Sequence, residues 1–228
     1  NVYVIDAVRT PIGKYGGALA GVRPDDLLAH VIRALVQRNP NAEVNAIEDV
    51  IAGAANQAGE DNRNVARMAA LLAGLPVTVA GSTVNRLCAS GLQSIMDSAR
   101  TIACGDAELM IACGVESMSR APFVMPKSNA AYERAPQIFD TTMGWRFVNK
   151  KLSEMHHPYT MGETAENVAK QWNISREAQD TFAADSQRKY EEAHKGGKFS
   201  AEIIPVEVQQ GKETIQFDKD EHPRLSAP

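Results

Sequence analysis

The most informative segment of the 228-residue chain reads Asn85-Arg86-Leu87-Cys88-Ala89-Ser90-Gly91. It lies between a predicted strand that ends near Asn85 and a predicted helix that begins at Ala89. The first backbone N–H groups of a helix have no partner within the helix, and the helix dipole adds about half a positive charge there. Both effects favour thiolate over thiol at Cys88, and the thiolate is the nucleophilic form of cysteine. Cys88 is therefore a candidate nucleophile.

The residues alone leave a second interpretation of this cysteine open, because free cysteine most often acts as a small buried hydrophobe. The same core role is predicted for Cys104, which ends a helix just before Gly105, and for Cys113, which lies in an apolar strand. The three cysteines have no CxxC spacing, so neither a disulfide framework nor a zinc site is indicated. Such usage fits a reducing compartment, and we expect a cytoplasmic protein, or an organellar one if a presequence has been removed.

Around this segment, short apolar runs alternate with amphipathic helices. Strands are predicted at residues 2–8, 49–53, 77–84 and 109–114. Helices are predicted after Pro24, over residues 64–73, and from Ala89 to about Gly105. The third has an apolar stripe formed by Leu92, Ile95, Met96, Ala99 and Ile102. This alternation predicts a mainly parallel α/β sheet covered by helices on both faces.

The regular pattern ends near residue 119. Residues 122–158 have no period of 2 or 3.6, which predicts a functional loop region. Thr160 and Glu163 then have the spacing of a capping box at the start of a helix. Another helix is predicted from Ser175, and residues 203–208 and 213–217 predict a hairpin. We therefore expect two domains, an α/β core over residues 1–118 and an α-rich loop domain over residues 119–228.

Composition excludes several classes of function. The chain has 24 basic and 28 acidic residues, a net charge of −4, and no basic patch that would indicate nucleic-acid binding. No apolar run approaches the ~18 residues that a membrane span needs. The five histidines show no spacing typical of a metal site.

The segment around Cys88 resembles the nucleophile segment of thiolases, the acetyl-CoA acyltransferases. Three further segments resemble thiolase motifs in the same order: residues 8–13 (VRTPIG), 114–119 (GVESMS) and 161–169 (MGETAENVA). Residues 59–67 (GEDNRNVAR) and 142–149 (TMGWRFVN) are similar to degradative thiolases, including those that act on β-ketoadipyl-CoA. The resemblance covers essentially the whole chain.

The resemblance implies a thiolase-like fold, with a mainly parallel five-stranded sheet between helix layers and an inserted loop domain on the CoA-binding side. It also implies two-step acyl transfer in fatty-acid or aromatic degradation, with coenzyme A as a substrate and no permanently bound cofactor. Cys88 would attack the keto carbon of a 3-ketoacyl-CoA, release acetyl-CoA and hold the shortened acyl chain as a thioester. A second CoA would then accept the acyl group; the reverse reaction is a condensation. Met161 matches a position that lines the pantetheine arm, and Arg224 a position that contacts the adenine nucleotide.

The chain departs from the family in its acid/base residues. Thiolases take a histidine from a Gly-His-Pro motif and a second cysteine from Cys-x-Gly, both in a C-terminal half, and neither motif occurs here. We therefore expect the second half of the fold to be absent, the core strands to be incomplete, and the 228 residues to be inactive without that half. The resemblance further implies a homodimer or homotetramer. A non-catalytic half-thiolase that dimerises or binds acyl-CoA is the alternative, and a cysteine hydrolase is a third, disfavoured because no histidine lies in a suitable context.

Overall fold

The computed structural model describes residues 1–224, and the chain forms two compact units. The first comprises residues 1–120 and 199–222, and the second comprises residues 121–198 together with the segment that begins at Pro223. The sequence had placed all of residues 119–228 in one loop domain. The difference arises because residues 199–222 pack their apolar side chains against the first unit.

A parallel sheet lies at the centre of the first unit. Its elements follow in the order α1 (Pro24–Arg38), β1 (Asp49–Gly53), α2 (Val65–Leu72), β2 (Ala80–Val84), α3 (Ser90–Cys104) and β3 (Met110–Gly114). The strand order is β2-β1-β3. In the register, Gly53 lies opposite Val84 on one side and Gly114 on the other, so the three carboxyl ends meet at one edge. The prediction of an α/β fold with a parallel sheet is confirmed.

The predicted strand over residues 2–8 is wrong. Tyr3, Val4 and Ile5 are exposed, and a single bridge joins Arg9 to Ile203. A strand forms only where a neighbour completes its backbone hydrogen bonds, and within residues 1–224 no strand lies beside this segment. The central sheet of the described chain therefore has three strands rather than the expected five.

The hydrophobic core lies between α1, α2 and β1. Pro24 begins α1, followed by Asp25 and Asp26, which suit the positive end of the helix. The helix buries Leu28 and Ile32 against a cluster that includes Val50 of β1 and Val65 of α2. Each such side chain contributes about 1.5–3 kcal/mol on burial. This packing fixes β1, and with it the edge at which the strands end.

Helix α3 packs on the sheet through serines instead. Ser90, Ser94 and Ser98 are its buried residues, whereas Leu92 and Ile95 of the predicted apolar stripe are exposed. The hydroxyl of Ser94 donates its proton between the carbonyl oxygens of Gly91 and Cys113, at 2.7 and 2.8 Å. The hydroxyl of Ser90 is also hydrogen-bonded, whereas that of Ser98 has no partner within residues 1–224. The small size of the three side chains lets the helix lie close to the strands.

The hairpin of β6 (Val206–Gln210) and β7 (Glu213–Phe217) belongs to the first unit and confirms the hairpin prediction. Its apolar side chains pack against Ala18, Leu19 and Leu27. After β7, Asp220 accepts two hydrogen bonds from the Arg9 guanidinium, at 2.7 and 3.1 Å, and one from the amide of Ile12. These carboxylate contacts join residues at opposite ends of the described chain.

The second unit consists of a two-strand ladder and three helices. Its elements are β4 (Phe123–Val124), β5 (Phe139–Asp140), α4 (Lys150–Met155), α5 (Met161–Gln171) and α6 (Arg176–Lys195). The predicted capping box is confirmed, because Thr160 and Glu163 exchange side-chain-to-backbone hydrogen bonds. The hydrogen bond that the Glu163 carboxylate accepts from the Thr160 amide lowers the pKa of Glu163. None of the residues of the three helices is buried.

Candidate active site

Cys88 lies at the carboxyl end of the sheet, two residues before the first residue of α3. Its side chain is exposed, so the interpretation of this cysteine as core filling is wrong. β2 ends at Val84 and the N-cap of α3 is Ala89, so the short connection between them presents the thiol at the positive end of the helix. Ligands of open α/β sheets bind at this edge, beyond the carboxyl ends of the strands.

The residue before the cysteine adopts a left-handed backbone conformation. Leu87 has φ of 51°, which costs a non-glycine residue about 1–3 kcal/mol unless its surroundings hold it there. Its amide donates to Oδ1 of Asn85 at 2.9 Å, and its carbonyl oxygen accepts from the hydroxyl of Ser90 at 2.6 Å. The same hydroxyl accepts from the amide of Arg86 at 2.8 Å. We call residues 85–90 the nucleophile turn.

The loops that follow the three strands support the nucleophile turn. Nδ2 of Asn85 donates to the carbonyl oxygen of Ala55 at 2.9 Å. The amides of Ala55 and Asn56 in turn donate to the two carboxylate oxygens of Glu116, at 2.8 and 3.3 Å. Glu116 follows β3 and Ala55 follows β1, so side-chain hydrogen bonds connect all three strand ends.

Glycines allow the start of α3 to approach the strands closely. A Cβ added at Gly53 would lie 2.3 Å from the carbonyl carbon of Ser90 and 2.4 Å from the nitrogen of Gly91. A Cβ added at Gly114 would lie 3.1 Å from the carbonyl oxygen of Gly53. The position of Cys88 above the sheet therefore depends on the absence of side chains at the ends of β1 and β3.

The backbone around Cys88 offers a hydrogen-bond donor. The amide of Ala89 donates to the carbonyl oxygen of Arg86, and that of Ser90 donates to Leu87. Among residues 1–224, by contrast, none accepts a hydrogen bond from the amide of Cys88. Attack on a carbonyl group needs a nucleophile and a hydrogen-bond donor for the resulting oxyanion, and Cys88 has an exposed thiol and an amide without an acceptor among these residues.

The other two cysteines differ from each other. Cys104 is exposed, so its predicted core role is wrong; it is the last residue of α3, where the helix ends at Gly105 with φ of 82°. Cys113 packs against the core, as predicted, and its thiol donates to the carbonyl oxygen of Ile51 at 3.5 Å. Burial raises the pKa of the Cys113 thiol to about 12.

The two residues predicted to contact CoA both lie in the second unit. Met161 is the first residue of α5, and its side chain is 78% exposed. Arg224 is exposed, and its amide donates to Oε1 of Gln187 on α6 at 2.8 Å. Neither residue lies in the same unit as Cys88, and their predicted roles stay predictions.

Two further classes of site are not found in the described chain. Within residues 1–224, no group of three or more His, Cys, Asp or Glu side chains is placed to hold a metal ion. None of the helices there combines the length and the apolar character that a membrane crossing needs.

The sequence predicted Ser90 only as a small residue that lets a substrate carbonyl approach the backbone, and it predicted no role for Glu116 or Gly53. A signal for Ser90 was present, because Ser90, Ser94 and Ser98 recur every four residues and therefore share one face of α3. Glycines at the ends of two predicted strands were a second signal, since glycine in a strand often marks a close approach of another backbone. The carboxylate of Glu116 gave no such signal.

The chain is similar to several known proteins. The family model of the thiolase N-terminal domain matches residues 2–227. The β-ketoadipyl-CoA thiolase of Acinetobacter baylyi is 57% identical over 99% of this chain, and an acetyl-CoA acetyltransferase of Cupriavidus necator is 42% identical over the whole chain. The crystal structure of the acetyl-CoA acetyltransferase of Bacillus anthracis superposes with a TM-score of 0.84, at 37% identity over 98% of this chain and 55% of that one.

The fold and the strand-to-helix cysteine thus define a thiolase-like α/β protein. The chain belongs to the thiolase family, since the family model spans nearly all of it. The resemblance inferred from the sequence is confirmed, and so is the thiolase-like class of the fold. The chain covers 57% of the length of the Acinetobacter enzyme and 56% of that of the Cupriavidus enzyme.

Proposed function

We propose that Cys88 is the nucleophile of an acyl transfer between an acyl-CoA and the thiol of CoA. The observation that carries this proposal is the exposed thiol in the nucleophile turn, at the positive end of α3 and beside an amide with no acceptor within residues 1–224. The amide of Cys88 would donate to the oxyanion of each tetrahedral intermediate. One such donor contributes about 3–4 kcal/mol to transition-state stabilisation.

In thiolytic cleavage, the Cys88 thiolate adds to the keto carbon of a 3-ketoacyl-CoA. Collapse of the intermediate breaks the carbon–carbon bond, and the electron pair leaves with the acetyl-CoA fragment, which takes up a proton. The shortened acyl group stays on sulfur as a thioester. The thiol of a second CoA then loses its proton, attacks this thioester and restores the thiolate; the reverse sequence is a condensation.

Complete turnover needs an acid and a base for these protons. The sequence has no Gly-His-Pro and no Cys-x-Gly motif, the sources of these groups in the family. We therefore propose that this chain alone carries out at most the transfer from an activated thioester to Cys88. The C-terminal half of a thiolase must supply the remaining groups for cleavage of a 3-ketoacyl-CoA.

We infer the substrate class, the oligomeric state and the cellular compartment by analogy with thiolases. Names such as β-ketoadipyl-CoA thiolase, at 54–57% identity, favour a 3-oxoacyl-CoA with a carboxylate at its far end. We propose that Met161 lines the pantetheine arm and that Arg224 pairs with or stacks on the nucleotide of CoA, which a guanidinium suits. We further propose a homodimer or homotetramer in a reducing compartment such as the cytoplasm, where a catalytic thiol persists.

The test is acetylation by acetyl-CoA, followed by intact mass and peptide mapping. We expect one acetyl group on Cys88, none after Cys88→Ala, and an unchanged yield after Cys104→Ala. Cys104 is the matched control because it is also an exposed thiol, at the opposite end of α3. Acetylation of Cys104 instead would contradict the proposal. An unmodified Cys88, even with the C-terminal half of a thiolase added, would favour the non-catalytic module.

A further inference from the structure

We propose that Ser90 is a positioning residue for Cys88, acting by holding the left-handed turn at Leu87. The inference rests on the proposed function of Cys88 as a nucleophile, and extends it to a residue that does not itself contact the substrate. Its basis is the pair of hydrogen bonds that one buried hydroxyl makes to the two residues immediately before the cysteine.

The geometry makes Ser90 a bridge across Cys88. Its hydroxyl donates to the carbonyl oxygen of Leu87 at 2.6 Å and accepts from the amide of Arg86 at 2.8 Å. Ser90 is also the first residue of α3, so its Cα moves with the helix. Ser90 therefore fixes the backbone before Cys88, at Arg86 and Leu87, relative to the start of α3 after it.

The strain at Leu87 explains why such a bridge is needed. Leucine, unlike asparagine or aspartate, has no polar side chain that could stabilise a left-handed conformation locally. Its side chain is 71% exposed, so burial contributes little to holding it. Hydrogen bonds from neighbouring side chains must hold the turn, and these come from Asn85 and Ser90.

Of these two residues, Ser90 makes the stronger hydrogen bond to Leu87. Its side chain is buried, with 4% of the residue exposed, whereas Asn85 is exposed and its hydrogen bond competes with water. Hydrogen bonds gain strength where the local dielectric is low. Removing the hydroxyl also leaves the Arg86 amide without its partner, which favours a different backbone conformation of the turn.

Ser94 provides a matched control on the same helix. It is buried, it lies one turn further along, and its hydroxyl also bonds to backbone carbonyl oxygens. Its partners, Gly91 and Cys113, attach α3 to β3 and do not include a residue of the nucleophile turn. Both serines contribute to stability, but the inference assigns only Ser90 an effect on Cys88.

The experiment compares Ser90→Ala, Ser94→Ala and Ser90→Thr in the full chain. Alkylation of Cys88 and Cys104 by iodoacetamide is followed by peptide mass spectrometry, and thermal unfolding is measured in parallel. We expect Ser90→Ala to lower the alkylation rate of Cys88 about tenfold relative to that of Cys104. Small misplacements of a reacting group change reaction rates by this much or more. Ser94→Ala should lower the melting temperature without changing the ratio of rates, and Ser90→Thr, which keeps the hydroxyl, should restore the ratio.

Three outcomes would count against these ideas, and they are distinguishable. If wild-type Cys88 reacts no faster than Cys104 and takes up no acetyl group, the proposed function fails. If Cys88 is alkylated faster than Cys104 in the wild type and equally fast in Ser90→Ala, the proposed function stands and the positioning role fails. If Ser90→Ala and Ser94→Ala reduce the ratio equally, the effect of Ser90 is general destabilisation and the positioning role is again refuted.

Discussion

The two ends of α3 carry the same chemical group in opposite settings. Cys88 precedes the helix and Cys104 is its last residue, and both thiols are exposed. Unpaired N–H groups point toward the first end and unpaired carbonyl groups toward the second. Exposure is common to the two cysteines, so it cannot be what distinguishes a nucleophile from a bystander. The backbone dipoles and the contacts of the preceding turn differ, and these are the features to test.

Each end also contains one residue with a left-handed backbone. At the C-terminal end it is Gly105, which adopts φ of 82° without steric cost. At the N-terminal end it is Leu87, which needs side-chain hydrogen bonds to stay there. The strained residue is thus beside the candidate nucleophile and the unstrained one beside the bystander, which agrees with the general clustering of backbone strain at functional sites.

Lifting the N-terminal end of α3 from the sheet should abolish the difference between the two thiols. Gly53→Ala places a methyl group against the backbone of Ser90 and Gly91, so we expect a loss of about 3 kcal/mol in the free energy of unfolding, measured in urea. The alkylation rate of Cys88 should also fall toward that of Cys104.

Gly91→Ala is the control for this substitution, because a Cβ at Gly91 meets nothing within 4 Å. In a helix, alanine is favoured over glycine by about 0.5–1 kcal/mol, so this variant should be slightly more stable than the wild type. Equal stability of Gly53→Ala and the wild type would show that the close approach at β1 is not needed.

The three native thiols should differ in their rates of alkylation. At pH 7 we expect Cys88 to be alkylated about tenfold faster than Cys104, because only the former lies at the positive helix end. Cys113 should not react below about pH 9, because a pKa of about 12 keeps its thiol neutral there, and it should become reactive in urea. Modification of Cys113 in the native protein at a rate near that of Cys104 would contradict its burial.

The smallest expected effect comes from relieving the strained residue. Leu87→Asn supplies a side chain that tolerates the left-handed region, and little burial is lost because Leu87 is largely exposed. We expect up to about 1 kcal/mol of added stability, measured by urea unfolding, with the reactivity of Cys88 kept. Leu92→Asn, at an exposed leucine inside α3, should instead lower stability by a few tenths of a kcal/mol. If both variants lose stability alike, Leu87 is not strained.

The sequence predicted the parts of the fold that depend on local patterns. Residues 49–53 form the predicted strand, Thr160 and Glu163 form the predicted capping box, and the cysteine lies between strand and helix as expected. The strand over residues 2–8 was not predictable in the same way, because an apolar segment becomes a strand only if a neighbouring strand lies beside it.

The details of the site escaped prediction for a different reason. Apolar periodicity assigned α3 an inward face of Leu92, Ile95 and Met96, yet the buried face is made of serines. At the first turn the backbone of Ser90 and Gly91 lies against Gly53, and this close approach is not visible in apolar periodicity. The hydrogen bonds of Asn85, Ser90 and Glu116 depend on three strand ends meeting at one edge, and no short stretch of sequence contains that information.

The serine-lined attachment of α3 has a consequence for behaviour in the cold. Hydrophobic stabilisation weakens as temperature falls, because burial of apolar surface carries a large heat-capacity change. The packing of Leu28, Ile32 and Val65 between α1 and α2 is subject to this loss. The hydrogen bonds of Ser90 in the nucleophile turn do not depend on apolar burial, so their contribution should weaken less on cooling than that of the core.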